Sequence, residues 1–330
     1  VSAKENEMNL EDIGFYTLSD LRAKNSSVTS PLVRCELVLT GRCNFKCPYC
    51  RSVGGQDLPL DQAKATVNLW CDEGLTNIRF TGGEPTLYKG LGELVTLAKS
   101  RGVERIALST NGATAFHRYE ELIALGVNDF SVSLDACCAE DGDSMAGGRK
   151  GSFAKVVKNI KALSKISYVT VGVVLTGANK EKAEEVIRFA DSLGVQDIRV
   201  IPAAQEGERL PMLELDEGLL KKYPILRYRV ANLASGIPVR GIPKGTTNRC
   251  GLALDDMAVM GMKHYPCIIH LRENGAPIGP VDSTIREQRL VWYKNHDAFK
   301  DPICVKNCLD VCVNYNQKHA SFHPEPALLV

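Results

Sequence analysis

Three cysteines share one short stretch, Cys43-Asn-Phe-Lys-Cys47-Pro-Tyr-Cys50, in the spacing CxxxCxxC. Three thiols so close together point to shared metal ligation more than to three separate structural roles. Thiolates are the usual ligands of iron–sulfur clusters, which normally take four of them. Three local ligands on a four-iron cluster leave one iron without a protein ligand, free to hold a substrate or a second cofactor. The competing reading is a zinc knuckle. Structural zinc takes four ligands in a closed tetrahedral shell, and no fourth Cys or His follows closely after Cys50.

A second motif, Thr81-Gly82-Gly83-Glu84-Pro85, follows the apolar run 78–80. Paired glycines let a backbone come close to a ligand and take positive φ without a steric cost. The plain alternative is an ordinary strand-to-helix turn. With both motifs in this order, the chain resembles the radical S-adenosylmethionine (SAM) enzymes over residues 34–205. Those enzymes carry CxxxCxxC with an aromatic residue before the last cysteine, here Tyr49, and a GGEP-type turn after the second barrel strand. The resemblance implies a 4Fe–4S cluster on Cys43, Cys47 and Cys50. SAM would chelate its open iron, and the Gly82-Gly83-Glu84 turn would receive the amino group of the methionine moiety.

Further polar residues stand at expected strand ends. Ser109, Thr110 and Asn111 follow one strand, Ser133 and Asp135 the next, and such groups suit a ribose and a methionine head group. Asp135 reads equally as a helix cap or a solvated acid. Arg149, in the Gly-rich loop 146–151, would meet the SAM carboxylate by resemblance, or is a solvated charge. Leu175, in the segment 173–179, lies near adenine or in the barrel core. Cys137 and Cys138 follow Asp135. They are either hydrogen donors to a substrate radical or simply packed thiols.

Five more cysteines lie near the end. Cys250 and Cys267 bracket a segment that reads as a β-hairpin with a Gly-centred turn, and Cys304, Cys308 and Cys312 follow as CxxxCxxxC. Residues 250–312 resemble the auxiliary-cluster domains of radical SAM enzymes, the SPASM and twitch types, and lie closer to the one-cluster twitch form. The resemblance implies a second 4Fe–4S cluster on Cys250, Cys267 and two of the last three, with one thiol spare. Four thiolates also suit structural zinc. Cys35 and Cys71 read as small buried hydrophobes. The six histidines show no metal spacing; His264 and His270 would touch a cluster or substrate, or sit on the surface. Trp292 and Tyr293 would pack the small domain.

The elements that must position these groups alternate. Strands are expected at 36–40, 77–80, 105–109, 129–134, 168–175 and 197–202. Helices are expected at 61–73, with Asp61 as N-cap, and at 91–101, 119–125, 153–164 and 180–193. Alternation of this kind implies parallel βα units with right-handed crossovers. With the resemblance, the fold class is α/β, a (βα)6 partial TIM barrel followed by a small C-terminal auxiliary-cluster domain with a β-hairpin. Ligands in barrels bind at the C-terminal strand ends. The expected division is a lead-in at 1–33 with a turn or lid at 15–18, the barrel at 34–205, a linker at 206–248 and the auxiliary domain at 249–330.

Bulk properties narrow the function classes. The 330 residues carry a net charge of +1 and no long basic run, so no nucleic-acid partner is expected. No apolar stretch reaches membrane-spanning length, and residues 1–7 are too polar for a signal peptide. Twelve cysteines in clustered spacings argue for metal ligation in a reducing, cytoplasmic compartment. The expected activity is reductive SAM cleavage to a 5′-deoxyadenosyl radical that takes hydrogen from a small-molecule or short peptide substrate. An external donor such as flavodoxin or ferredoxin would supply the electron. The auxiliary cluster would accept an electron or bind substrate. The alternatives are a redox-neutral epimerase or rearrangement enzyme with a thiol hydrogen donor, and a non-catalytic electron carrier.

Overall fold

The computed structural model describes residues 16–51, 54, 56–204 and 212–324. Six strands, β1 (Arg34–Val38), β2 (Asn77–Thr81), β3 (Arg105–Thr110), β4 (Asp129–Ser133), β5 (Tyr168–Leu175) and β6 (Asp197–Pro202), lie side by side in sequence order. All are parallel. Parallel neighbours require a crossover, supplied by helices Leu60–Asp72, Leu91–Ser100, Phe116–Leu125, Ser152–Leu163 and Ala183–Asp191. The sheet is open. Beyond β1 it continues through β7 (Asp256–Met260), parallel to β1, then β8 (Lys263–Tyr265) and β9 (Gly279–Pro280), both antiparallel. The fold is mixed α/β in the partial-barrel arrangement. The expected hairpin is β7–β8, turning at Gly261 with φ of 60°.

Period-two alternation sorts the strand residues. In β5, Val169, Val171, Val173 and Leu175 are buried with the helix residues Val156, Ile160 and Val186, while Gly172 and Val174 face the barrel interior. Fully buried side chains such as Phe80, Phe130 and Leu37 contribute roughly 1.5–3 kcal/mol each. The strand starts are ionic. Arg34, Arg105, Asp129, Asp197 and Asp256 each open a strand, and Arg105–Asp129 (2.9 Å) and Arg34–Asp256 (3.1 Å) pair there. The charges at this end pair across neighbouring strands, whereas the polar residues at the opposite end gather around the cysteine-lined cavity.

Several expectations change in detail. Pro59, not Asp61, is the N-cap of the first barrel helix; Asp61 sits in the first turn, where a carboxylate favours the helix dipole. The expected helix 180–193 opens as a 3₁₀ turn, Lys180–Lys182, and becomes α-helical at Ala183–Asp191. Helix Ala139–Met145 was not anticipated; it buries no residue, so it has no apolar period to read. The stretch taken as a linker carries helices Glu217–Lys222 and Pro224–Ala234, and the second packs on β6. Of the lead-in, Tyr16–Leu18 is a 3₁₀ turn and Asp20–Asn25 a helix against the last helix, Asp310–Phe322. Residues 1–15, including Phe15 of the expected lid, and 205–211 lie outside the described residues.

Candidate functional site

The C-terminal ends of the parallel strands open into a cavity of about 470 Å³. Cys43, Cys47 and Cys50 line it from the loop after β1, and Gly82 and Gly83 from the turn after β2. Ser109 and Asn111, then Ser133 and Asp135, complete that wall. Cys267 and Cys312 line the same cavity. A larger cavity of about 680 Å³ involves the lead-in helix and the strand starts and has no cysteine in its wall. The chemistry-bearing residues therefore select the first.

The cluster loop and the glycine turn are built on each other. The Gly83 N–H donates to Thr40 O (2.7 Å) and the Glu84 N–H to Arg42 O (2.8 Å). A Cβ on Gly82 would stand 2.5 Å from Thr40 O, and one on Gly83 would stand 2.3 Å from Arg42 O. Backbone approach between the two motifs thus demands glycine at both positions. Glu84 is fully buried and turned away from the cavity. Its carboxylate accepts from Thr86 N–H and Oγ1, Thr110 Oγ1 (2.8 Å) and Asn111 N–H (2.7 Å). It fixes the turn and the end of β3; it makes no wall. Burial raises its pKa against those four donors.

Asp135 is an anchoring point and neither a helix cap nor solvated. Tyr49 donates its hydroxyl to Oδ2, and the Val174 N–H donates to Oδ1 at 2.6 Å. Burial pushes the Asp135 carboxyl up to about 6. Asn111 Nδ2 reaches Asn44 Oδ1 (2.7 Å) and the Cys43 sulfur (3.7 Å). Ser109 accepts from Arg79 at 3.1 Å.

Other expected residues stand elsewhere. Leu175 is in the helix-side core, because alternation gives the inward position to Val174. Arg149 lies outside the cavity wall and donates to Asn44 O (3.0 Å), so it braces the cluster loop from behind. Neither Cys137 nor Cys138 lines the cavity: Cys137 packs at the core edge near Glu185, and Cys138 is exposed before helix Ala139–Met145. His264 and His270 are buried, not on the surface, and line no part of the cavity. His264 meets Arg289 and Gln288, and His270 meets Asp301. Trp292 stacks on His296 with ring centroids 4.0 Å apart, and Cys35 is core. Sequence reading missed Arg272. It lines the cavity and donates to Gly82 O (2.9 Å) and Arg51 O (3.1 Å) from the short helix Ile268–Arg272. Nothing in the local sequence signals a contact across that separation.

The C-terminal cysteines come from separate elements. Cys250 precedes a 3₁₀ turn, Cys267 caps helix Ile268–Arg272, Cys304 lies in helix Pro302–Asn307, Cys308 ends it, and Cys312 lies in the last helix. Cys250 and Cys312 pack beside Leu252 and Tyr315. Burial raises Cys250 to about 11 and pushes Cys267 and Cys304 up. The hydrogen bond with Cys308 holds Cys312 down and, with burial, raises Cys308.

The Radical SAM superfamily profile matches residues 37–190. Residues 37–190 form a radical SAM domain. Over 196 residues it is 32 % identical to the GTP 3′,8-cyclase of Rhizobium etli, covering 56 % of this chain and 54 % of that protein. The chain thus spans about half the length of that relative. Streptococcus suis SuiB bound to the precursor peptide SuiA superposes with a TM-score of 0.58 at 17 % identity, covering 92 % of this chain and 74 % of the other. Native anSMEcpe with bound AdoMet and Kp18Cys peptide gives 0.58 at 15 % identity, covering 88 % and 96 %. These structural likenesses concern the fold.

The residues of the radical SAM domain fit a cluster and its ligand. Burial, with Asp135 nearby, raises the Cys47 thiol to about 12. Desolvated thiolates are costly alone and become favourable beside iron. A tetrahedral zinc with Zn–S bonds of about 2.3 Å would draw its sulfurs to about 3.8 Å. Among the described residues no three cysteine sulfurs lie within 4.8 Å of one another. Among the described residues, no helix is long and apolar enough to cross a membrane.

Proposed function

We propose that this chain is an enzyme that reductively cleaves SAM and takes a hydrogen atom from a small-molecule or short peptide substrate. A second 4Fe–4S cluster would accept an electron or bind substrate. One observation carries this reading: Cys43, Cys47 and Cys50 share a single cavity wall with Cys267 and Cys312. When bound, the reduced cluster and SAM supply a 5′-deoxyadenosyl radical. The protein's part is to hold, orient and exclude water. Cys43, Cys47 and Cys50 hold one cluster. The Tyr49–Asp135 bond fixes the loop that carries them. The Gly82–Gly83 backbone, Ser109, Asn111 and Ser133 offer polar contacts to the methionine and ribose of SAM.

Two features favour a small anionic substrate. Of the six arginines in the cavity wall, Arg22, Arg34, Arg79, Arg199 and Arg229 pair with Asp255, Asp256, Asp129, Asp197 and Asp310, whereas the Arg272 guanidinium is held by backbone carbonyl groups of Gly82 and Arg51 and keeps its charge for a ligand. The named sequence relative acts, by its name, on GTP. The electron-acceptor reading is preferred to a thiol hydrogen donor, because Cys137, Cys138 and Cys304 stand outside the cavity, and Cys267 and Cys312 in its wall are taken up as cluster ligands in this reading. A flavodoxin- or ferredoxin-type protein in the cytoplasm would supply the electron.

The test is iron and sulfide content with EPR of the dithionite-reduced protein, with and without SAM, for wild type and a Cys43/Cys47/Cys50 triple alanine variant. About eight irons, falling to about four with loss of the SAM-sensitive signal, are expected. About four irons, all lost in the variant, would remove the second cluster. Failure of reduced protein to cleave SAM would leave an electron carrier.

A further inference from the structure

The C-terminal thiols leave one cysteine to explain, and the surroundings of Cys304 explain it. Its sulfur lies 3.7 Å from His296 Nε2, and His296 Nε2 lies 3.6 Å from Asp301 Oδ2. Among the described residues, this is the one group of three ligand atoms of different residues that all lie within 4.8 Å of one another. The nitrogen–oxygen separation is too long for a good hydrogen bond. A tetrahedral zinc with bonds of about 2.0–2.3 Å to N, O and S has ligand–ligand edges of about 3.4–3.6 Å. The Cys304–His296 and His296–Asp301 separations are close to those edges, and the Cys304–Asp301 separation lies within 4.8 Å.

The partners around the three are arranged as a ligand shell requires. Asp301 Oδ1 is held by the N–H groups of Ile303 (2.8 Å) and Cys304 (3.2 Å), which aims Oδ2 at the two histidines. His270, on the helix that follows the hairpin, meets the same Oδ2 at 3.0 Å and orients the carboxylate from outside. The His296 ring is fixed by stacking on Trp292. All three ligands are half-buried, and none lines the catalytic cavity.

We propose that His296, Asp301 and Cys304 bind a single divalent ion of the zinc class, separate from both iron–sulfur clusters. The mixed N, O and S donor set suits zinc better than calcium or magnesium, which take oxygen ligands. Three protein ligands leave a fourth position for water. The ion joins the 296–304 segment into one unit. Cys304 is then the spare thiol of the CxxxCxxxC run, and Cys250, Cys267, Cys308 and Cys312 are left for the auxiliary cluster. That last assignment rests on the function proposed above; the zinc site does not.

The test uses full-length protein reconstituted with iron and sulfide, equilibrated with zinc sulfate, desalted, and assayed for zinc and iron per chain. About one zinc is expected in wild type and none in His296→Gln or Cys304→Ser, with iron unchanged in both. His296→Gln keeps every thiol, so zinc scavenged by an empty cluster site would survive it, and survival there overturns the proposal. Absence of zinc from wild type overturns it too, as does a loss of about four irons in Cys304→Ser, which would make Cys304 a cluster ligand. A wild type with about four irons and one zinc would sink the second cluster and leave the zinc site standing.

Discussion

The two cysteine groups meet at one cavity, the second through Cys267 and Cys312, and they reach it by opposite routes. Cys43, Cys47 and Cys50 sit on a single loop, and their spacing alone brings them together. Cys250, Cys267, Cys308 and Cys312 come from a 3₁₀ turn, a hairpin exit and two helices, and only packing assembles them. The first group is braced from the barrel rim, by the glycine turn, Tyr49–Asp135 and Arg149. The second is braced across the chain, by the lead-in helix against the last helix and by Arg22 to Asp255 at 2.5 Å. A group specified by one loop can be damaged alone, whereas a group assembled from several elements shares its fate with the fold around it. Arg272 and Glu273 join the two, since Arg272 holds Gly82 and Arg51 backbone while Glu273 pairs with the Arg51 side chain.

The largest effect that would break this contrast is at Cys47. Cys47→Ala is expected to abolish SAM cleavage and remove about four irons per chain while the other four stay; cleavage assayed as 5′-deoxyadenosine release decides it, and retained cleavage would undo the assignment. Next, Cys267→Ala is expected to remove the other four irons and keep the SAM-sensitive EPR signal. Loss of both signals would mean that the two groups stand or fall together.

A third outcome concerns the anchor of the loop. The Asp135 carboxyl rises from 3.8 to about 6 in the folded protein, through burial. The folded state then binds more protons than the unfolded state between these values. Stability therefore falls as pH rises through that window, by about 3 kcal/mol. Asp135→Asn is expected to flatten that part of the profile in urea unfolding of the cluster-free protein from pH 4 to 7; an unchanged slope would remove Asp135 as its source. The smallest effect is at the link between the groups. Arg272→Gln is expected to weaken SAM binding about tenfold, the equivalent of one charge-assisted hydrogen bond, with iron content unchanged. An unchanged affinity would show that the two motifs need no support from the C-terminal region.

Local sequence determined a good deal of this. The positions of the six barrel strands, the hairpin with its Gly-centred turn, the cluster loop and the glycine turn were all legible, because each depends on spacing or period within a few residues, while the strand order came from the family resemblance. The roles of particular residues were less so. Glu84 is turned inward to fix a turn, Leu175 belongs to the core, and Cys137 and Cys138 sit away from the cavity. Each depends on which way one side chain points, which a motif does not state. Helix Ala139–Met145 gave no signal because it buries nothing.

By itself, then, the sequence determined that three thiols would share a loop at the end of the first strand and that six βα units would set polar residues at one rim. Spacing and hydrophobic period are short-range properties, and they survive in a linear chain. Tertiary structure alone decided that Cys267 and Cys312 face Cys43, Cys47 and Cys50, that Arg272 ties the two motifs, and that His296 and Asp301 gather around Cys304. Those contacts depend on how β7 docks beside β1 and how the last helices fold back over it. That docking is set by apolar burial summed over many residues, and no single stretch of sequence records it.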